Sequence, residues 1–334
     1  MDEHPIPAKE GQPDAERLDD RRAGLLLPER PGRGHKGTFG KLLVVAGSLD
    51  YAGAALLVCQ AAGRAGAGLV TLAVPESLQP LFAAKVVEAT TLALAEDDVE
   101  EVDPEPALAR ILDHEHDALV VGPGLRPSLA SAEMIRGILA AGARDDASPA
   151  VVDAEALRSL AAEDGWWEGV ARPCVLTPHA GEFSRLRAAG GLGPGADGDL
   201  VGDDAARLTA ARDAARTWGH VVVLKGAHTV IAAPDGSAAV ATFENPALAT
   251  GGTGDVLAGT IGGLLAQGLA PYSAARLGVH LHGMAGEAVR HRVGDAGLLA
   301  GDLPFEIARA RHRLTADAAR RAGVGALGFG RPAG

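Results

Sequence analysis

The stretch Thr250-Gly251-Gly252-Thr253-Gly254-Asp255 runs into an apolar segment, residues 256–267, that reads as a helix. Three glycines in four positions free the backbone to turn its N–H groups inward. At a helix start those amides lack intrahelical acceptors, and the helix dipole favours an anion. The loop therefore reads as a phosphate cradle, with the amides of Gly252, Thr253 and Gly254 as donors. Asp255 is out of place in such a cradle, because a carboxylate repels phosphate. It fits as a base that takes a proton from a hydroxyl beside a transferring phosphoryl group. It fits equally as the N-cap of the helix, a position that Asp favours.

Four other segments carry residues of the same kind. Leu176-Thr177-Pro178-His179-Ala180-Gly181-Glu182 follows an apolar run. Pro178 ends that run, and His179 and Glu182 lie three apart on a starting helix. They read either as a pair facing one pocket or as a helix-capping pair. A Glu near phosphates organises magnesium through water, because magnesium keeps much of its hydration shell. Leu224-Lys225-Gly226-Ala227-His228-Thr229 places a point charge at a strand end, next to a glycine that permits close approach. Val121-Gly122-Pro123-Gly124 is a stiff loop, and residues 47–53 form another glycine-bounded loop. Each is unspecific alone; five such loops after strands in one chain are not.

The elements that must position them alternate. Strands are expected at 42–46, 69–74, 90–94, 118–121, 150–152, 174–176 and 221–224. Helices are expected at 54–65, 129–141 and 203–218. Continuous apolar strands alternating with helices imply a doubly wound, mostly parallel sheet with helices on both faces. Runs at 229–233 and 238–242 flank Pro234-Asp235-Gly236-Ser237 and read as an antiparallel hairpin at the sheet edge. The last third reads as helices at 254–267, 272–291 and 302–320. Residues 1–34 read as a mobile tail with room for a short helix at 15–22. Residues 35–320 read as one α/β domain, and 321–334 as a frayed end. Ligands of such folds bind outside the carboxyl ends of the strands, where all five loops fall.

The 334 residues carry 31 Lys plus Arg and 43 Asp plus Glu, a net charge of −12. That acid excess argues against a nucleic-acid partner, which needs a basic footprint. Aromatic residues are only 3%, so the core must be aliphatic. Cys59 and Cys174 lie in apolar runs and read as buried free thiols, in keeping with a reducing compartment. The N-terminus has no cationic start before an apolar stretch, and no apolar run is long enough to span a bilayer. A cytoplasmic protein without membrane contact is the expectation.

The motifs together resemble the ADP- or ATP-dependent NAD(P)H-hydrate dehydratase family of the ribokinase-like superfamily. The matching stretches are HKGTFG at 35–40, the segment 47–68, GPG at 122–124, VVDAEAL at 151–157, LTPHAGEF at 176–183, VLKGAHT at 223–229 and NPALATGGTGDVLAG at 245–259. The resemblance spans residues 35–314 and is to the bacterial, ADP-dependent type. It implies removal of water from the S epimer of hydrated NADH or NADPH. ADP, or ATP, phosphorylates the 6-hydroxyl, phosphate leaves, and the ring is restored. It also implies site residues. Lys225, Gly226, Ala227, His228, Thr229 and Gly254 would contact the nucleotide. Ala54, Gly124, His179 and Asp255 would contact the hydrate, and Glu182 would position Mg2+ through water. A homo-oligomer, a tetramer by family habit, and partnership with a separate epimerase are implied too; many members fuse an epimerase domain in front, and with only a short tail before residue 35 no epimerase activity is expected here. Related kinases of sugars or vitamin precursors tend to carry Asn where this chain has His179, so a small-molecule hydroxyl kinase is the competing reading.

Other groups read as structural. His114-Glu115-His116-Asp117 precedes a strand, at the wrong end of the sheet for the site. His280 and His282 are two apart on a helix and so point to different faces; packing is the expectation, with contact to a nucleotide or a subunit interface as the alternative for one of them. Residues 309–313 form a solvated basic face. Trp166 and Trp167 sit in a polar connection without an assigned role.

Overall fold

The apolar runs form a sheet because both of their faces are covered. A computed structural model describes residues 15–142, 147–193 and 200–321. Its strands are β1 (Glu16–Leu18), β2 (Lys41–Val45), β3 (Leu69–Pro75), β4 (Thr90–Leu94), β5 (Glu96–Asp98), β6 (Glu101–Val102), β7 (Ala118–Val121), β8 (Ala150–Val152), β9 (Cys174–Leu176), β10 (Val221–Leu224), β11 (Val230–Ala232) and β12 (Ala238–Ala241). Ten of them make one sheet in the order β1-β12-β11-β10-β9-β8-β7-β2-β3-β4, and β5 and β6 form a separate small hairpin. Within the large sheet only the β10–β11 and β11–β12 pairings are antiparallel. The hairpin expected after β10 is therefore present, and β1 lies outside it, parallel to β12.

The helices are α1 (Asp20–Gly24), α2 (Ala52–Ala65), α3 (Gln79–Ala83), α4 (Pro104–Asp113), α5 (Leu129–Ala140), α6 (Glu155–Leu160), α7 (Ala180–Ala189), α8 (Asp204–Trp218), α9 (Thr253–Ala266), α10 (Pro271–Val293) and α11 (Leu303–Arg321). Alternate strand residues feed two cores. Leu42 and Val44 join the cluster that packs against α2, α9, α10 and α11. Leu43 and Val45 join the cluster that packs against α4 to α8. This three-layer α/β arrangement is the doubly wound architecture that the apolar runs imply.

One contact fixes where α9 begins. A Cβ at Gly259 would lie 2.3 Å from the Val58 carbonyl oxygen, and one at Gly263 would lie 2.6 Å from that of Ala62. Two side-chain-free positions one turn apart let α9 lie directly on the backbone of α2. The amino terminus of α9 is thereby held at the carboxyl end of the strands.

Part of the segment expected to be a tail is built into the fold. Residues 16–18 form β1 rather than a helix, and Leu18 is fully buried. Arg276 donates to the Glu16 carboxylate at 2.6 Å. The free edge of β12 recruits these residues, and three residues show no periodicity of their own. Residues 1–14 and 322–334 lie outside the described residues. Trp166 is a core residue: its ring centroid is 4.9 Å from that of Trp218, and its Nε1 donates to the Leu186 carbonyl. Cys59 and Cys174 are buried free thiols, and burial pushes the Cys59 thiol up to about 12. No described helix is long and apolar enough to cross a membrane.

Candidate active site

The residue at the N-cap of α9 is Gly252, at φ 90°, so Asp255 is not the cap. The capping alternative for Asp255 is thereby removed: it stands in the first turn of the helix. A Cβ at Gly252 would also meet Leu57 at 2.8 Å and Ala300 at 3.0 Å, so this glycine is required by the backbone itself. The Thr253 amide donates to the Thr250 carbonyl at 3.4 Å, and its hydroxyl donates to the carbonyls of Leu248 and Thr250. Thr253 thus closes the loop upon itself. The amides of Gly254 and Asp255, in the first turn, have no intrahelical acceptor and remain for an anion. Gly254 differs from Gly252, since a Cβ there would meet only the Lys225 amine, at 3.5 Å.

Lys225 joins this loop to the neighbouring strands. Its backbone N–H donates to the Pro178 carbonyl, and its Nζ donates to Asp153 Oδ1 at 2.9 Å. The Glu182 carboxylate lies 3.8 Å from the same nitrogen. Burial pulls the Lys225 amine down, but the charges of Asp153, Glu182 and Asp255 outweigh it and the net shift is upward. Asp255 is raised to about 6, first by burial and then by the Asp153 charge, with Lys225 opposing. A carboxyl that titrates near neutrality can accept a proton at working pH, which an ordinary surface aspartate does poorly.

His179 is the N-cap of α7. Its Nδ1 accepts the amides of Gly181 at 3.1 Å and Glu182 at 3.3 Å, and Glu182 Oε2 accepts the His179 amide at 2.9 Å. The capping pair that the three-residue spacing allowed is therefore present. It does not use up the histidine. With Nδ1 accepting, Nε2 is assigned the ring N–H; it lies 3.5 Å from Glu182 Oε2, and the side chain is 57% exposed. Gly124 and Ala54 meet as well: a Cβ on Gly124 would lie 2.8 Å from that of Ala54. A Cβ on Gly122 would strike the Asp153 carbonyl oxygen at 2.0 Å, so the 122–124 loop abuts the same cluster.

A cleft of ≈ 470 Å³ opens beside Lys225, lined also by Gly226, Ala227, Thr229, Phe243, Leu257, Val279 and His282. Its size and largely apolar lining suit a small organic ligand with one charged end. Arg207 is buried behind Gly226 and donates to the Leu224 carbonyl, which backs the 225–229 turn. His228 is the exception in that turn. It is not part of the lining, and its Nδ1 pairs with the Asp204 carboxylate at 2.7 Å. His282, expected to pack or to meet a ligand, lines the cleft and bonds the Thr253 carbonyl through Nε2 at 3.0 Å. Burial lowers its pKa to about 4, so it is neutral and donates there.

Asp153 lies in the VVDAEAL stretch, and its sequence neighbours point to no role for it. It is 2% exposed and accepts from Thr177 Oγ1 at 2.8 Å as well as from Lys225. The next residue, Ala154, is held at φ 50°, a conformation that non-glycine residues avoid. A carboxylate directly after a buried strand, on the ligand side of an α/β sheet, was the available signal.

Fold and site together define a doubly wound α/β protein with a glycine-rich loop at the start of one helix, beside a buried Lys–Asp pair. The likeness in fold includes a ribokinase-like superfamily protein from Enterococcus faecalis, at TM-score 0.70 and 24% identity. The chain belongs to the NAD(P)H-hydrate dehydratase family, whose model matches residues 42–309. The ADP-dependent (S)-NAD(P)H-hydrate dehydratase of Xanthomonas campestris pv. campestris is 36% identical over 286 residues, 85% of this chain and 92% of that protein. The ADP/ATP-dependent NAD(P)H-hydrate dehydratase of Bacillus subtilis, co-crystallised with ATP/Mg2+, is 31% identical at TM-score 0.73, over 90% of this chain and 99% of that one. The bifunctional NAD(P)H-hydrate repair enzyme Nnr of Moorella thermoacetica is 42% identical over 280 residues. The chain spans about half the length of that relative, 50%.

Proposed function

We propose that this chain dehydrates the S epimer of hydrated NADH or NADPH in the cytoplasm, with ADP as the phosphoryl donor. One observation carries the reading: a half-buried carboxylate, Asp255, stands in the first turn of α9, whose start lines the cleft together with Lys225. Asp255 takes the proton of the 6-hydroxyl. The freed oxygen attacks the terminal phosphorus of ADP, a P–O bond breaks, and AMP leaves. The amides of Gly254 and Asp255, with the Lys225 ammonium, hold the charge of the transferring group. The ring nitrogen then pushes its electron pair toward C6, phosphate departs, and loss of the C5 proton restores the double bond.

Lys225, Gly226, Ala227 and Thr229, with the cleft, take the nucleotide, and His179 Nε2, Ala54 and Gly124 take the hydrate. Magnesium bound with the nucleotide would neutralise phosphate charge. Glu182 would position such an ion through water, on the carboxylate oxygen that does not accept the His179 amide. A homo-oligomer, and an epimerase on a separate chain that supplies the S form, belong to the same proposal.

The test separates this reaction from that of a kinase. Incubation with hydrated NADH, ADP and magnesium is expected to yield AMP, inorganic phosphate and NADH in equal amounts. Vitamin precursors and sugar alcohols as acceptors should consume almost no nucleotide. A stable phosphorylated acceptor, formed while the hydrate stays untouched, overturns the proposal.

His179→Asn gives a second expected outcome. Asn caps helices well, so the melting temperature without ligand should change little. The KM for the hydrate should rise about tenfold or more, the scale of one lost hydrogen bond to a substrate, while ADP affinity stays unchanged. An unaltered hydrate KM would remove His179 from the acceptor site.

A further inference from the structure

Three carboxylates surround the single ammonium of Lys225, and they are not equivalent. Asp153 is in contact at 2.9 Å and Glu182 stands at 3.8 Å. Among the described residues, no ion pair within 4.0 Å joins Lys225 to Asp255, although Asp255 acts on it through space. The nearest partner is also the most firmly held. Asp153 is buried, its backbone N–H donates to the Val121 carbonyl at 3.2 Å, and Thr177 Oγ1 donates to the same Oδ1 at 2.8 Å. Thr177 is pinned in turn, its N–H donating to the Val152 carbonyl at 3.1 Å. The pair is thus anchored at both ends by the strand ends of β8, β9 and β10.

We infer that Asp153 is a positioning residue, which holds the Lys225 ammonium against the anion loop and off the Asp255 carboxylate. The inference rests on the proposed phosphoryl transfer. Released from Asp153, the ammonium would shift toward Glu182, at 3.8 Å, or toward Asp255, and would leave the anion loop or weaken the base. Held by Asp153, the amine stays within 3.5 Å of where a Gly254 Cβ would stand, on the side where the phosphoryl group must lie. Asp153 acts through Lys225, so its effect must vanish when Lys225 is gone.

A double-mutant cycle tests this. The proteins are wild type, Asp153→Asn, Lys225→Met and the double variant. Asn keeps the size of Asp and can still accept from Thr177. The readouts are the Kd for ADP by calorimetry, and kcat and KM with hydrated NADH. Asp153→Asn is expected to weaken ADP about fivefold to tenfold and to lower kcat about tenfold. Lys225→Met is expected to weaken ADP about tenfold or more. The double variant should match Lys225→Met within about twofold, which is a coupling near tenfold. A merely structural role predicts otherwise: the two losses multiply, and this result overturns the inference. Unchanged ADP affinity and kcat in folded Asp153→Asn overturn it too.

Should Asp153→Asn fail to fold, Thr177→Val loosens the same carboxylate. It is expected to weaken ADP about threefold when Lys225 is present and not at all beside Lys225→Met; equal losses in both backgrounds overturn the inference. The calorimetric cycle decides without turnover. If the wild type binds ADP but leaves the hydrate untouched, the proposed function fails while the coupling still stands or falls by the cycle.

Discussion

Asp255→Asn should remain folded and lose at least about 10²-fold in turnover of hydrated NADH, the usual scale for a positioned base. The structure makes this a clean substitution. Gly252 caps α9, so no capping bond is lost with the carboxylate. The stability effect has a definite sign. The folded Asp255 titrates at about 6, above an unfolded aspartate, so its ionisation costs stability as pH rises from about 4 to about 6. That cost is fully present above about pH 6 and absent below about pH 4. The asparagine variant escapes it, so its ligand-free melting temperature at pH 7.5 should equal or exceed that of the wild type. In the wild type, kcat/KM should fall below about pH 6, as protonation removes the base. Near-normal turnover in the folded variant, or an acid limb far from that pH, would falsify the assignment of Asp255.

Gly254→Val should weaken ADP binding by about tenfold to a hundredfold, or 1.4 to 3 kcal/mol. Its side chain would enter the space between the helix start and the Lys225 amine, where the phosphates are proposed to lie. The ligand-free melting temperature should fall little. Gly254 has helical backbone and an added Cβ meets no backbone atom, so only the modest helix preference of Val enters. Gly252 is the wrong site for this experiment. Its φ of 90° and its contacts with Leu57 and Ala300 mean that a side chain there damages the fold first. Calorimetry and thermal melts of the two variants, side by side, separate the roles. Unchanged ADP affinity in a folded Gly254→Val protein removes the anion loop from the nucleotide site.

The parts legible in the sequence are those written in neighbouring residues. Continuous apolar runs place β7, β8, β9 and β10 to the residue, because a strand buried on both faces needs apolar side chains at every position. Gly252 marks the turn into α9 because its φ of 90° admits few other residues. The His179–Glu182 spacing yields a capping pair for equally local reasons. What the tertiary structure alone decides lies between residues far apart in the chain. β1 exists because β12 offers a free edge more than two hundred residues later, at Ala239 to Ala241. The shift of Asp255 to about 6 depends on burial and on the Asp153 charge, neither of which is encoded beside it. Asp153 looks like an ordinary residue after a strand until folding brings it, across 72 residues, within 2.9 Å of Lys225. Periodicity reports which face of an element is covered; it carries no information on which charge will stand opposite another. That pairing is set by the order of strands in the sheet, and only the folded chain contains it.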